Sequence, residues 1–452
     1  MSDSGNPARL TAAQAAEAIR AGEITSEELV AACLEAIAGV EKTVGAWAHF
    51  DADYALDQAR ERHSWRQEGR PLGPLHGVPV GIKDIFDTAD MPTEYGSSVH
   101  AGHRPLRDST AVARLRQAGA IVMGKTVTTE FALYTPGRTT NPVDPERTPG
   151  GSSSGSAAAV AANMVPLAIG SQTNGSVIRP ASYCGVIGFK PSHGLISRHR
   201  VLPLSRPLDH VGVFARSIDD VALLAEALIG FDENDPDTRP RACPDLLRTS
   251  REEPPLTPRL AFVKQPAWQD AENDTQQAFE ELVEFLGEEA ITEVELPAAF
   301  TGAVGAHSAI MEADVAGNLG ATYDRGRDAL SPRLREIIER GRSVAAVEYG
   351  RARDKAAALN LHLDELFAEF DAIVTPAAAG EAPRGLDSTG SPIFCTIWTL
   401  CGTPAVTLPI LAGSSGMPMG VQLIGRRGDD ARLLRTARWL VGTAEKADGE
   451  SP

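Results

Sequence analysis

Three segments of this chain carry residue types that together could perform nucleophilic catalysis. They are the glycine/serine run from Gly150 to Ser154, the turn that contains Ser176, and Lys83, which directly follows a short apolar run. A serine hydroxyl becomes a nucleophile when a base takes its proton, and glycine-rich turns leave backbone N–H groups bare to stabilise an oxyanion. A lysine becomes such a base when burial lowers its pKa. These segments therefore indicate acyl transfer at a serine.

The glycine/serine run also matches the pattern G-x-S-x-G, which would make Ser153 the nucleophile of an α/β-hydrolase. The context argues against this assignment, because a polar loop over residues 141–150 stands where that fold requires a buried strand. A phosphate-binding loop is not indicated either, since G-x-x-x-x-G-K-S/T is absent. A helix and a returning strand would bring Ser152 and Ser176 together, so Ser152 could relay a proton. Two ordinary glycine/serine turns remain the alternative at this point.

The elements that must position these groups alternate along the chain. Residues 78–82 form an apolar run that predicts a buried strand ending at Lys83. Residues 155–163 are expected to form a helix of small side chains, and residues 165–169 form the strand that follows it. Similar alternation over the rest of the sequence predicts an α/β fold around a large and mostly buried sheet.

Composition narrows the classes of partner. The chain has 452 residues and a net charge of −17, and we expect this acidity to exclude nucleic acid, whose phosphates need a basic surface. Five cysteines without a C-x-x-C pair predict neither a disulfide scaffold nor a zinc site. The sequence does not open with a charged and apolar leader, and no apolar run reaches about 18 residues. We therefore expect a cytoplasmic protein that does not bind membranes.

Three motifs give the chain a strong resemblance to the amidase signature family. They are GVPVGIKD around Lys83, the glycine/serine-rich segment from Gly150 to Pro191, and CGTPAVTLPI followed by GMPMGVQLIG near the C-terminus. The resemblance implies a single large α/β domain, in which helices surround a twisted mixed β-sheet. The expected domain covers residues 1–452. It is expected to begin with N-terminal helices over residues of about 8–70, followed by a signature core over about 71–230. A surface loop over about 231–257 then leads to the C-terminal part of the same domain, over 258–445.

The resemblance also implies a role for each chemical group, with no cofactor and no metal. Ser176 is the nucleophile, Ser152 is a bridging serine after a cis peptide bond, and Lys83 is the base. The expected reaction is hydrolysis of the C–N bond of small linear amides through a serine acyl-enzyme, with esters and carbamates as further substrates. Four backbone amides are expected to form the oxyanion hole, those of Thr173, Asn174, Gly175 and Ser176.

The signature turn departs from the family pattern G-T-D-x-G-G-S-I-R in three ways. Gln172 replaces the usual aspartate, Asn174 replaces a glycine, and Arg179 falls one residue later than usual. This arrangement is similar to malonamidase-like members, which act on small acids that carry an amide. Two interpretations of Arg179 are open: it pairs with another acid of the chain, or it binds a substrate carboxylate in bidentate geometry.

The candidate substrate-binding residues are Arg179, Gln172, Tyr134 and Phe131. Other side chains in segments that, by the resemblance, could face the site are His307, Met311, Ile397 and Trp398. The expected partner is a small-molecule amide, with no nucleic acid, no membrane, and a homodimer as a candidate assembly. The alternative function is that of an amidotransferase component, which releases ammonia for tRNA-dependent transamidation.

Overall fold

The computed structural model describes residues 5–450, with side chains through residue 446. Its α-helices are α1 (Ala12–Ala21), α2 (Ser26–Val44), α3 (Ala52–Gln67), α4 (Thr110–Gln117), α5 (Ser154–Ala161), α6 (Ile178–Cys184), α7 (Ile218–Leu228), α8 (Leu246–Arg251), α9 (Asn273–Leu286), α10 (Ala303–Gly326), α11 (Pro332–Ser343), α12 (Ala346–Glu369), α13 (Ile393–Leu400) and α14 (Asp430–Glu450). Its strands are β1 (Trp47–Phe50), β2 (Pro79–Lys83), β3 (Ile121–Thr126), β4 (Leu167–Gln172), β5 (Ile187–Lys190), β6 (His210–Ala215), β7 (Leu260–Phe262), β8 (Ile291–Glu293), β9 (Ala372–Pro376), β10 (Ala405–Ala412) and β11 (Pro418–Ile424).

One mixed sheet contains these eleven strands, in the order β1-β3-β2-β4-β6-β5-β10-β11-β9-β7-β8. Strand β2 runs parallel to both β3 and β4, whereas β4 pairs antiparallel with β6. Along β4, Leu167 and Ile169 pack into one hydrophobic cluster and Ala168 into another. Because neighbouring side chains of a strand point to opposite faces, both faces of the sheet are buried. The predicted single α/β domain with a mixed sheet surrounded by helices is confirmed.

Two parts of the chain differ from the sequence-based expectation. The N-terminal region, expected to be helical, also contributes β1, which pairs antiparallel with β3 at the edge of the sheet. The segment 231–257, expected to be a surface loop, contains α8, whose residues Leu246 and Ser250 are fully buried. Asp245 begins α8 by accepting the backbone N–H of Arg248, so polar composition here marks a helix cap. None of the described helices is long and apolar enough to cross a membrane.

The sheet register brings the lysine and the signature segment together. Ile82 of β2 lies beside Ile169 of β4. The carboxyl ends of these parallel strands, at Lys83 and Gln172, therefore lie at the same end of the sheet. Helix α5 packs against both strands. Its small side chains permit a close approach: a Cβ at Gly155 would lie 2.3 Å from the Ala46 carbonyl oxygen. Glycine is therefore required where α5 crosses this backbone.

Candidate active site

Lys83 is the buried centre of a hydrogen-bond network. Its side chain is fully buried at the end of β2, and Nζ donates to the hydroxyls of Ser152 at 2.7 Å and Ser171 at 2.9 Å. Burial lowers the pKa of Lys83 well below its ordinary value, although the charge of Asp209 opposes this shift. Removal from water disfavours the ammonium form. Burial at this position therefore favours the uncharged amine.

The turn before α5 presents Ser152 to this amine. The peptide bond between Gly151 and Ser152 is cis, and Ser152 is almost fully buried. Its neighbour Ser153 faces β4 instead: Ser153 Oγ donates to the Ser171 carbonyl at 3.2 Å and accepts the Ser171 N–H at 3.3 Å. The hydroxyl of Ser153 is therefore used in holding the turn against the strand, which disfavours the α/β-hydrolase assignment.

The turn at residues 173–176 supplies bare backbone amides. Within residues 5–450, the N–H groups of Asn174, Gly175 and Ser176 donate to no other protein group. A Cβ at Gly175 would lie 2.9 Å from Pro392 Cβ and 3.0 Å from an Arg179 nitrogen, so only glycine fits there. Unpaired amides that converge in a tight turn are the groups that stabilise an oxyanion.

A small cavity of about 10 Å³ opens over this turn. Its lining residues are Ala132, Leu133, Tyr134, Thr173, Asn174, Gly175, Ser176, Arg179, Met311 and Pro392. The Tyr134 hydroxyl accepts a hydrogen bond from Asn174 Nδ2 at 3.2 Å, which fixes the ring at the cavity wall. Of the predicted substrate-binding residues, Tyr134 and Arg179 therefore reach the same space as Ser176.

A larger cavity of about 220 Å³ also borders Thr173 and extends to Ser171 and Asp209. Its wall is mainly apolar, with Val201, Leu202 and neighbouring residues. Ser176 does not line it. Of these two cavities, the smaller one is therefore the one that borders Ser176.

Arg179 is buried beside Ser176, and no acidic side chain among residues 5–446 pairs with it. Its Nε donates to the Thr389 carbonyl at 2.8 Å, and one terminal nitrogen donates to the Gly151 carbonyl at 2.7 Å. The other terminal nitrogen is buried and has no hydrogen-bond partner in the described structure. No carboxylate of the described residues forms an ion pair with Arg179, and burial lowers its pKa. Pairing with another acid of the chain is thus not observed.

Two predicted substrate-binding residues have other roles in the structure. Gln172 is fully buried: its Oε1 accepts the N–H groups of Val177 at 2.8 Å and Ile178 at 3.0 Å, and its Nε2 donates to Thr399. It therefore caps the start of α6 and does not line the small cavity. Phe131 does not line this cavity either; its backbone φ is +48°, and its ring packs against Tyr95 and His100.

Ser171 is a site residue that the sequence analysis missed. Its hydroxyl is the second acceptor for Lys83, and it lies in β4 immediately before the residue that caps α6. The signal was present, because a serine near the carboxyl end of a strand parallel to β2 must approach the lysine at the end of β2. No group of His, Cys, Asp and Glu side chains that could hold a metal occurs among the described residues.

The fold, the buried lysine and the two glycine/serine turns are those of an amidase architecture. The sequence model of the family described as Amidase matches residues 28–434. The chain therefore belongs to the amidase signature family, and the resemblance seen in its motifs is confirmed.

The chain resembles both curated relatives and solved structures. The curated relatives are A-type subunits of glutamyl-tRNA(Gln) amidotransferase. That of Chloroflexus aurantiacus is 36% identical over 94% of both chains, and that of Streptomyces coelicolor is 34% identical over 97% of this chain and 96% of its own. Among solved structures, a chain from a vestigial protein complex that reveals the evolutionary origins of an s-triazine catabolic enzyme is 26% identical, with a TM-score of 0.89 over 96% of this chain and 98% of its own. The peptide amidase of Stenotrophomonas maltophilia is 29% identical, with a TM-score of 0.82 over 97% of both chains.

The expectation of a small-molecule partner without nucleic acid is wrong. The curated relatives are named as components of an amidotransferase for glutamyl-tRNA(Gln), and such a name conflicts with excluding RNA and partner subunits. The error has a physical cause. Net charge summed over a whole chain describes neither a local basic surface nor a surface that a second protein supplies.

Proposed function

We propose that this protein hydrolyses a carboxamide through an acyl-enzyme at Ser176 and releases ammonia. The observation that carries this proposal is the contact of 2.7 Å between the buried Lys83 amine and the Ser152 hydroxyl, beside a turn with three unpaired amides. A neutral amine accepts a proton only if its lone pair faces a donor, and rotation of the Ser152 hydroxyl supplies that donor. Ser152 in turn takes the proton of Ser176.

The proposed reaction assigns one group to each step. Ser176 Oγ attacks the amide carbon while its proton passes through Ser152 to Lys83, and the amides at 174–176 bind the oxyanion. When the C–N bond breaks, the proton returns through Ser152 to the leaving nitrogen, which departs as ammonia. Water then attacks the acyl-enzyme, its proton follows the same relay, and the carboxylic acid and free Ser176 are regenerated.

The environment of Arg179 supports the proposal that the substrate also carries a carboxylate. A buried guanidinium without a counter-charge is costly, and an anionic ligand in the small cavity would offset that cost by a charge-assisted hydrogen bond. The unpaired terminal nitrogen lies close to Gly175, and both residues line this cavity. A small acid with a terminal carboxamide places both groups in reach.

The curated relatives favour one setting for this chemistry: a catalytic subunit that supplies ammonia for tRNA-dependent transamidation. Identity of 36% over 94% of the chain supports this setting. A second candidate is a hydrolase that acts without partner subunits. The altered turn at Gln172 and Asn174, and the similarity to the peptide amidase, favour that candidate.

The test compares ammonia release by the purified chain from glutamine, malonamate and neutral propionamide. We expect turnover of the anionic amides and none by Ser176→Ala. Arg179→Met should lower kcat/KM for the anionic amides by about 10-fold or more, as expected for the loss of a charge-assisted hydrogen bond, and change propionamide hydrolysis less. Equal losses on all three amides would exclude carboxylate recognition.

Adding partner proteins distinguishes the two settings. If the chain works within an amidotransferase, it should release ammonia faster when its partner subunits and glutamyl-tRNA are present, and the ammonia should appear in the amidated tRNA. A rate that partners do not change, with all ammonia in solution, would support the independent hydrolase.

A further inference from the structure

Three carbonyl groups of the 173–176 turn each accept a hydrogen bond from a different donor. The Thr173 carbonyl accepts from His307 Nε2 at 2.9 Å, the Asn174 carbonyl accepts from the Thr399 hydroxyl at 2.5 Å, and the Gly175 carbonyl accepts the Arg179 N–H at 3.0 Å. Three consecutive peptide groups are thus each fixed by one donor. The third is an ordinary bond at the start of a helix, whereas the first two come from side chains of distant helices, α10 and α13.

Fixing a carbonyl also fixes an amide. In a trans peptide the C=O and the following N–H lie in one plane and point in opposite directions. A donor that holds the Thr173 carbonyl therefore turns the Asn174 N–H away from α10, and a donor that holds the Asn174 carbonyl turns the Gly175 N–H away from α13. These are two of the unpaired amides beside Ser176.

We propose that His307 is a positioning residue for the oxyanion-binding turn, and that Thr399 assists it. This inference depends on the proposed acyl-enzyme function, because it concerns the amides that would bind the oxyanion. His307 does not contact the reacting atoms. It acts through the Thr173–Asn174 peptide group, whose orientation it sets before substrate arrives.

The protonation state of His307 supports this role. Its side chain is 1% exposed, and burial lowers its pKa to about 4, so the ring is neutral at pH 7. A carbonyl oxygen can only accept, so Nε2 carries the single ring proton and donates it to Thr173. A neutral ring brings no positive charge that would attract the oxyanion away from the amides.

Packing alone does not account for an imidazole at this position. The other ring nitrogen, Nδ1, is buried and has no hydrogen-bond partner in the described part of the chain. A buried unpaired acceptor is destabilising, and a leucine of similar volume would avoid that cost. His307 therefore contributes its Nε2–H, and the Thr173 carbonyl is the group that receives it.

The test uses two matched pairs of variants. His307→Leu and Thr399→Val remove the donors, whereas His307→Gln and Thr399→Ser retain an N–H or O–H at the same positions. The readout is the rate at which a fluorophosphonate labels Ser176, because phosphonylation places a P–O oxygen among the same amides and requires no knowledge of the natural substrate. Ser176→Ala gives the background, and thermal melting checks that each variant is folded.

We expect labelling to slow by about 10- to 100-fold in His307→Leu and Thr399→Val, which is below the loss for deleting an oxyanion donor outright. The donor-retaining variants should recover most of the rate. With malonamate as substrate, kcat should fall while KM changes little. Folded His307→Leu that labels at the wild-type rate, or His307→Gln that is as slow as His307→Leu, would overturn the inference. Wild-type enzyme that is not labelled at Ser176 would refute the proposed function itself, and the inference with it.

Discussion

Replacing Lys83 by methionine should abolish turnover and change how the stability of the protein depends on pH. Methionine fills similar space without a titratable group, and it removes the donor to Ser152 and Ser171. The native lysine has a strongly lowered pKa because it is buried, whereas in the unfolded chain its pKa returns to about 10.4. At pH values that lie between the native pKa and the unfolded pKa of Lys83, unfolding takes up one proton at this residue.

The size of the effect follows from that proton. Because the unfolded state binds one more proton than the native state, the free energy of unfolding of the wild type rises with pH by about 1.4 kcal/mol per pH unit from Lys83 alone. The contribution is smallest at low pH, where the native amine also becomes protonated, and is complete above the unfolded pKa. Lys83→Met lacks this contribution. The free energy of unfolding of the wild type minus that of the variant should therefore increase with pH at the same slope.

Urea denaturation followed by tryptophan fluorescence measures this difference between about pH 7.5 and 9.5, a range below the pKa of an unfolded lysine. Lys42→Met, which removes an exposed lysine, controls for the loss of a lysine as such. Parallel pH curves for wild type and Lys83→Met would mean that the native amine is protonated throughout this range. That result would refute the assignment of Lys83 as a neutral base.

The remaining predictions concern the proton relay and the support of the turn. Ser152→Ala should lower kcat by about 100- to 10,000-fold, the usual contribution of acid–base catalysis, with unchanged thermal melting; a loss below about threefold would contradict the relay. The ratio kcat/KM should fall as pH is lowered, because protonated Lys83 cannot accept a proton. A kcat/KM that does not decrease towards acidic pH would contradict this prediction. Gln172→Met leaves the N–H groups of Val177 and Ile178 without their acceptor, so urea denaturation should show a loss of about 2–5 kcal/mol.

The sequence was informative where chemistry and periodicity coincide. An apolar run ending in Lys83 predicts a buried strand with a buried amine, and the structure places Lys83 with no exposed surface at the end of β2. The glycine/serine run predicts a turn followed by a helix of small residues, and α5 begins at Ser154. Both predictions need only the local pattern and the rule that a lysine is rarely fully buried unless it is paired. Their proposed catalytic roles stay predictions.

Other features depend on contacts that no local pattern specifies. Phe131 was expected at the pocket, but its φ of +48° lies in the left-handed region, which side chains other than glycine rarely adopt and which sequence does not predict. Gln172 was expected to touch substrate, and its use as a helix cap depends on the register between β4 and α6. The contact between His307 and Thr173 joins residues 134 positions apart, so only the folded structure reveals it.

The two proposed settings share one acyl-enzyme and differ in the space around it. Arg179 follows Ser176 by less than one helical turn, and its unpaired nitrogen lies beside Gly175, so a carboxylate bound there must be close to the scissile amide. Malonamate separates its carboxylate and amide by one carbon, whereas glutamine separates them by three. Tyr134 and Arg179 both line the small cavity beside Ser176, so the shorter spacing brings a carboxylate to Arg179 more directly. The dependence of kcat/KM on the spacing of the two groups therefore reports which setting the turn at 172–179 serves.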